Sequence, residues 1–140
     1  MSKYIHKVNY YETDKMGITH HSNYIRFMEE ARMNFLAEIG YPMNRLEAEG
    51  ITSPVVSVNC EYKHPTTYSD EIEIEVTLTQ YTGVKLSLDY IMKNLQTGDL
   101  IAKASSSHCM IDKNGRPIAV KKFFSGLDAA LKSNVKKQVL

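Results

Sequence analysis

The feature that most limits what this chain can fold into is a single long helical repeat with a polar turn before it and strand patterns after it. Residues 11–40 read YETDKMGITHHSNYIRFMEEARMNFLAEIG. Tyr24, Met28, Ala31, Phe35 and Ile39 recur at helical spacing, and Ile25, Phe27 and Leu36 widen the stripe. That pattern marks a helix buried along one side. Gly40 and Pro42 stop it. About 17 residues of helix measure roughly 25 Å. A lone helix of that length needs an apolar surface to lie on, and the remaining sequence supplies one.

Residues 71–79 alternate strictly, with Ile72, Ile74, Val76 and Leu78 on one face and Glu71, Glu73, Glu75, Thr77 and Thr79 on the other. One dry face and one wet face predict an antiparallel sheet. Residues 54–63 (Val56, Val58, Cys60 and Tyr62 on one face), 84–92 and 100–110 alternate in the same way. A first strand is expected over 5–11, a helical turn or two over 43–49, and hairpin loops at 94–99 and at Asn114-Gly115. After that last turn, 116–120 reads as a short returning strand. The tail, 127–140, reads as an amphipathic helix with Leu127, Ala130, Leu131 and Val135 inward and Lys132, Lys136 and Lys137 solvated. The expectation is one α+β domain over 1–140, an antiparallel sheet wrapped around one long helix.

Composition narrows the function classes. A net charge of +1 gives no global basis for nucleic-acid binding. No apolar run approaches the roughly 20 residues that span a bilayer. The first residues, MSKYIHKVNYYETD, lack the apolar core of a signal peptide. A cytoplasmic protein without membrane partners is expected, and in that reducing compartment Cys60 and Cys109 read as buried thiols rather than a disulfide.

Asp14 is the leading candidate for chemistry. Gly17 follows it and can take backbone angles that other residues avoid. The helix start downstream offers unpaired N–H groups and a dipole that stabilise negative charge. Tyr10, Tyr11 and Met16 nearby would limit water. A carboxylate there could attack a carbonyl, or activate a water to do so, while the N–H groups polarise its oxygen. The plain alternative is that Asp14 caps a turn. For His21 the open readings are holding a water, orienting Asp14 and a structural role. His20 reads as its surface neighbour, and adjacent histidines in a helix or strand point apart, so no metal is expected. Glu29 is a rival carboxylate, or a structural partner of Arg32 one turn on. Lys63, His64, Lys85, Arg116, Lys121 and Lys122 could form a basic rim for phosphates.

The run Tyr11-Glu12-Thr13-Asp14-x-x-Gly17-x-x-x-His21-x-x-Tyr24-x-x-x-x-Glu29-x-Ala31-Arg32 resembles the signature of hotdog-fold acyl-CoA thioesterases of the 4-hydroxybenzoyl-CoA thioesterase family, similar to the Tol–Pal-associated members. The resemblance continues through 53–56 and 62–70 and covers roughly 8–120. It implies a hotdog fold and hydrolysis of acyl-CoA to a free acid and coenzyme A, with no cofactor. It makes Asp14 the catalytic carboxylate and turns the His21 amide toward the thioester carbonyl. Gly17 then allows close passage of the backbone, and Tyr24 packs at the first helical turn. Glu29 is placed as an acyl-group contact, and Lys85 lies where relatives carry basic residues. It also implies protomers paired edge to edge, as a homodimer or homotetramer. A non-catalytic acyl-CoA-binding hotdog protein, action on acyl carrier protein thioesters, and a dehydratase of hydroxyacyl thioesters are the alternatives. The preferred acyl chain stays open.

Overall fold

A computed structural model describes residues 2–136. The helical repeat forms α1 (Asn23–Glu38), followed by a short α2 (Met43–Ala48). Five strands make one antiparallel sheet: β1 (Ser2–Lys7), β3 (Val55–Tyr62), β4 (Glu71–Tyr81), β5 (Lys85–Asn94) and β6 (Leu100–Cys109). Their order is β1-β4-β5-β6-β3. β2 (Ile51–Thr52) pairs with β7 (Ile111–Asp112) as a separate two-stranded extension. α3 (Val120–Phe123) and α4 (Ser125–Asn134) end the described chain.

The core follows the period-2 pattern. Ile72, Ile74, Val76 and Leu78 of β4 and Leu88, Tyr90 and Met92 of β5 are buried under Phe27, Met28, Ala31 and Phe35 of α1. Burial of each large apolar side chain stabilises by about 1.5–3 kcal/mol relative to exposure. This is the hotdog arrangement, one sheet curled on one long helix. Ile25 falls outside the stripe and is exposed. Arg32 lies inside it and is buried.

Several local readings change. The first strand runs Ser2–Lys7, earlier than 5–11, and Tyr10–Glu12 forms a 3-10 turn. The cause is the Glu12 carboxylate, which turns back to accept the Asn9 N–H at 2.7 Å and meets His6 Nε2 at 2.8 Å. Residues 116–120 form no strand. Pro117 bridges Ile111, with the Asp112 N–H donating to the Arg116 carbonyl at 2.9 Å and the Ile118 N–H to the Met110 carbonyl at 3.0 Å, and the pairing stops there because Val120 opens α3. The turn before Pro117 falls where expected but encloses three residues, 113–115, with the Gly115 N–H donating to the Asp112 carbonyl and the Asp112–Arg116 bond closing the loop. β3 is an edge strand, and Val55, Val56, Val58 and Tyr62 are exposed, although Cys60 on the same face packs against the core and the Tyr62 ring meets Tyr24 of α1 edge-on at 5.2 Å. Cys60 and Cys109 are half-buried free thiols, not fully buried ones.

In the tail, Leu127 and Leu131 are buried, with Ala130 and Val135 packed beside them. The helix ends at Asn134, and the Lys136 N–H donates to the Leu78 carbonyl. Lys132 is exposed but pairs with Asp128 at 3.1 Å. That Asp128 carboxyl is held below the usual carboxylate range by the Tyr81 hydroxyl, which donates to it at 2.6 Å, and by Lys132. Lys137 and the rest of 137–140 lie outside the described residues.

Candidate active site

Residues 13–19 close into a small hairpin. Thr13 bridges Thr19, the Asp14 N–H donates to the Ile18 carbonyl at 2.8 Å, and the Gly17 N–H donates to the Asp14 carbonyl at 3.0 Å. Gly17 sits at φ +81°, a left-handed conformation the turn requires. A Cβ there would meet nothing within 4 Å, so the glycine is needed for its backbone angle and not for close packing. Asp14 Oδ1 accepts the Met16 N–H at 2.8 Å, so the carboxylate does cap its own turn through one oxygen. Asp14 is half-buried, but Tyr10, Tyr11 and Met16 are about four-fifths exposed and do not screen it from water. The Tyr10 ring meets the exposed Tyr68 ring, edge-on at 5.8 Å.

The hairpin is joined to the rest of the fold through Thr66, which is fully buried in the β3–β4 loop. Its carbonyl accepts the Thr19 N–H at 2.8 Å, and its hydroxyl bonds Thr19 Oγ1 at 2.6 Å and the Tyr24 hydroxyl at 2.9 Å. One residue thus ties the Asp14 hairpin to the first turn of α1. Glu12 adds a second tie, since its carbonyl accepts from the His20 N–H and from Asn23 Nδ2. Replacing Thr66 by Val keeps the shape and the carbonyl that accepts Thr19 Oγ1 at 3.3 Å, but removes the hydroxyl that bonds the buried Tyr24 and Thr19 hydroxyls. It should cost about 1–3 kcal/mol and lower the thermal midpoint by several degrees. Scanning calorimetry checks this, and a midpoint equal to the wild type would remove Thr66 as the tie.

A cleft of about 330 Å³ opens beside this junction, lined by Ile18, Thr19, His21, Tyr24, Tyr62, Lys63, His64 and Pro65. Tyr62 crosses from β3 to donate its hydroxyl to the His21 carbonyl at 3.0 Å, with its ring edge-on to His21 and Tyr24. Burial, with a lesser contribution from Cys60, pushes the Tyr62 phenol up to about 12, so it remains a donor. Around the helix entrance the Asn23 and Tyr24 N–H groups donate to the His20 and His21 carbonyls, and the Ser22 N–H to His20 Nδ1. Among the described residues no acceptor is bonded to the His21 N–H. The His20 and His21 rings stack at 4.2 Å. They do not point apart, because residues 20–22 form a turn and neither helix nor strand geometry applies.

The predicted residues therefore separate. His21 and Tyr24 line one cleft, and Asp14 and Gly17 sit on the hairpin whose returning arm, Ile18 and Thr19, forms its wall. Glu29 is exposed two turns along α1 and makes no ion pair with Arg32; it borders two other depressions. Lys85 pairs with Cys109, whereas Tyr62 pairs with Ala102. Seven residues of β6 separate them, ~23 Å along the strand. The basic groups at the cleft are instead Lys63 and His64. Thr66 and Tyr62 were not singled out by the sequence, since nothing periodic marks a contact across more than 40 residues of chain.

Comparison with known proteins agrees with this architecture. The profile of the thioesterase-like superfamily matches residues 8–135, and the chain belongs to that family. It is similar to YneP of Bacillus subtilis (strain 168), provisionally named an acyl-CoA thioesterase, at 37% identity over 119 residues, 84% of this chain and 86% of that one. It is 31% identical over 80 residues to the acyl-CoA thioester hydrolase YbgC of Escherichia coli O6:H1, covering 57% of this chain and 60% of that one. Among solved structures, the DHNA-CoA thioesterase of Staphylococcus aureus superposes with a TM-score of 0.90 at 27% identity, covering 94% of this chain and 89% of that one.

Proposed function

We propose that the protein is a cytoplasmic acyl-CoA thioesterase that hydrolyses acyl-CoA to a free carboxylic acid and coenzyme A without a cofactor. The observation that carries the site assignment is the His21 amide, which has no acceptor among the described residues and belongs to a residue lining the cleft at the entrance of α1. A thioester oxygen placed against it gains a hydrogen bond that strengthens as negative charge develops on that oxygen. Asp14 uses one oxygen to hold its turn, which leaves the other for the reaction. It either attacks the thioester carbon directly or takes a proton from the water that does. In both routes the C–S bond breaks and coenzyme A leaves as the thiolate, which is then protonated; after direct attack, water cleaves the acyl–Asp14 anhydride to release the acid and restore the carboxylate. Lys63 and His64 supply positive charge for the phosphates. The names and folds of the relatives support the substrate class.

The same reading pairs two protomers along β3. Its exposed valines and unpaired edge are what a free edge strand cannot safely present alone. Antiparallel pairing centred between Val58 and Asn59 sets Val55 of one copy beside Tyr62 of the other, so each cleft lies at the joint. A thiol-release assay on short, long, aromatic and carrier-protein-bound acyl thioesters tests the proposal. Release from at least one coenzyme A thioester is expected. Tight binding without release would move the protein to a non-catalytic acyl-CoA-binding role.

A further inference from the structure

β1 buries a histidine that the reaction above does not use. Ser2, Tyr4 and His6 alternate onto the covered side of the strand, while Lys3, Ile5 and Lys7 are exposed. The inward file of a strand normally carries apolar side chains, yet His6 sits there only 7% exposed. Its ring stacks on Phe27 of α1, with the centroids 4.0 Å apart. Its two nitrogens face two carboxylates. Nε2 is 2.8 Å from Glu12 Oε1, and Nδ1 is 3.4 Å from Glu30 Oε2. A carboxylate oxygen only accepts, so Nε2 carries a proton and donates it to Glu12. Glu30 in turn accepts the Tyr4 hydroxyl at 3.1 Å, which ties this corner of β1 to α1.

Glu12 is buried as well, at 6% exposed, and lies two residues before Asp14. Its carbonyl accepts the His20 N–H at 2.8 Å and Asn23 Nδ2 at 2.9 Å. One residue thereby joins the chain entering the Asp14 hairpin to the turn that presents the His21 amide. What fixes Glu12 fixes the spacing of the two groups that act on the thioester. Asn9 holds the Glu12 carboxylate from within the same turn, through its N–H and Nδ2. His6 holds it from the sheet, with its own ring clamped between Phe27 and Glu30 of the helix.

We infer that His6 is a positioning residue: by holding the Glu12 carboxylate it keeps Asp14 and the His21 amide at the spacing thioester cleavage needs. The inference rests on the thioesterase reading and adds to it a residue outside both the motif and the cleft. Neither His6 nor Glu12 lines the His21 cleft, so substituting His6 leaves the contacts to substrate in place. Both line a separate open depression of about 400 Å³. Without His6 the Glu12 carboxylate can turn out into that space, so the chain folds while the turn loosens.

Three variants separate the nitrogens. His6→Gln keeps an N–H at the reach of Nε2, His6→Asn keeps one only near Nδ1, and His6→Leu keeps neither. Thiol release should show kcat lowered roughly 10- to 100-fold in His6→Leu and His6→Asn, the scale of a misplacement of about an ångström. KM should stay within about 3-fold, as for an interaction that does not contribute to ground-state binding. His6→Gln should recover most of the loss. Amide hydrogen exchange, read by NMR without substrate, supplies an arm independent of turnover. The Asp14 and His20 N–H groups, bonded to the Ile18 and Glu12 carbonyls, should exchange faster in His6→Leu and His6→Asn, with β4 and β5 as protected as in the wild type. Unchanged exchange at Asp14 and His20 overturns the inference whatever the turnover. So does a kcat that holds at the wild-type value or falls alike in His6→Gln and His6→Asn, a comparison that stands even where His6→Leu does not fold. Faster exchange in variants of a wild-type protein that releases no thiol is a different failure: the hydrolase reading falls, and the link from His6 to the turn remains without a reaction to serve.

Discussion

Replacing Asp14 by Asn is expected to lower kcat on the best acyl-CoA substrate by at least about 100-fold, the scale of losing a general base or nucleophile. The substitution separates chemistry from folding. Asn keeps an oxygen that can accept the Met16 N–H, so the turn at 14–17 retains its bonds, and the thermal midpoint should stay within a degree or two of the wild type, as expected of a near-neutral change. What disappears is the negative charge and with it the ability to take a proton or attack a carbonyl. Steady-state kinetics on the wild type, Asp14→Asn and Glu29→Gln decide the matter. The Glu29 variant should keep kcat within a few-fold, since Glu29 is exposed on α1 and does not line the His21 cleft. If Asp14→Asn turns over normally while Glu29→Gln does not, the reaction belongs to the helical carboxylate.

Stability should fall steeply between about pH 6.5 and pH 4. His108 is fully buried. Burial first, and the Arg32 guanidinium second, lower its pKa from the usual 6.5 to about 4. A histidine whose folded pKa is depressed favours the native state only while it stays neutral. The contribution is complete above the unfolded-state pKa of about 6.5. As pH falls, the unfolded chain binds the proton first, and the native state loses up to roughly 3 kcal/mol by the time both forms are protonated. Urea titrations at intervals between pH 7 and pH 4 measure it. His108→Gln, which carries no titrating group, should be less stable at pH 7 and should lose the part of the slope that lies in this window. A wild-type stability that is flat across the window, or an unchanged slope in the variant, would show that His108 is not the group responsible.

The long helix was legible because its apolar stripe is a property of neighbours three and four residues apart. Only Ile25 and Arg32 fell on the wrong side of it. Their positions lie at the stripe's margins, where the angle of α1 on the sheet decides burial. Strands 71–81, 85–94 and 100–109 were legible from alternation alone. Alternation in β3 was read equally well, but most of the face it marks is exposed. Period 2 says which residues share a face and cannot say whether anything covers that face. The returning strand at 116–120 shrank to a single bridge at Pro117 because Val120 already belongs to α3, which the turn signal before it does not announce.

Asp14, Gly17, His21 and Tyr24 stood out through a motif within a dozen residues, and the local turn that shapes them is set by glycine and aspartate chemistry inside that run. Thr66 and Tyr62 hold that motif in place from more than 40 residues away, and the Arg32–His108 contact spans 76. By itself the sequence determined the elements, the turn at Asp14 and the inward faces of the central strands, because those depend on spacing along the chain. Only the tertiary structure decided which strand is left as an edge, what anchors the hairpin, and that Arg32 is buried against His108. Those outcomes depend on how separate faces meet in space, and hydrogen bonds and burial act across that distance without leaving a periodic trace.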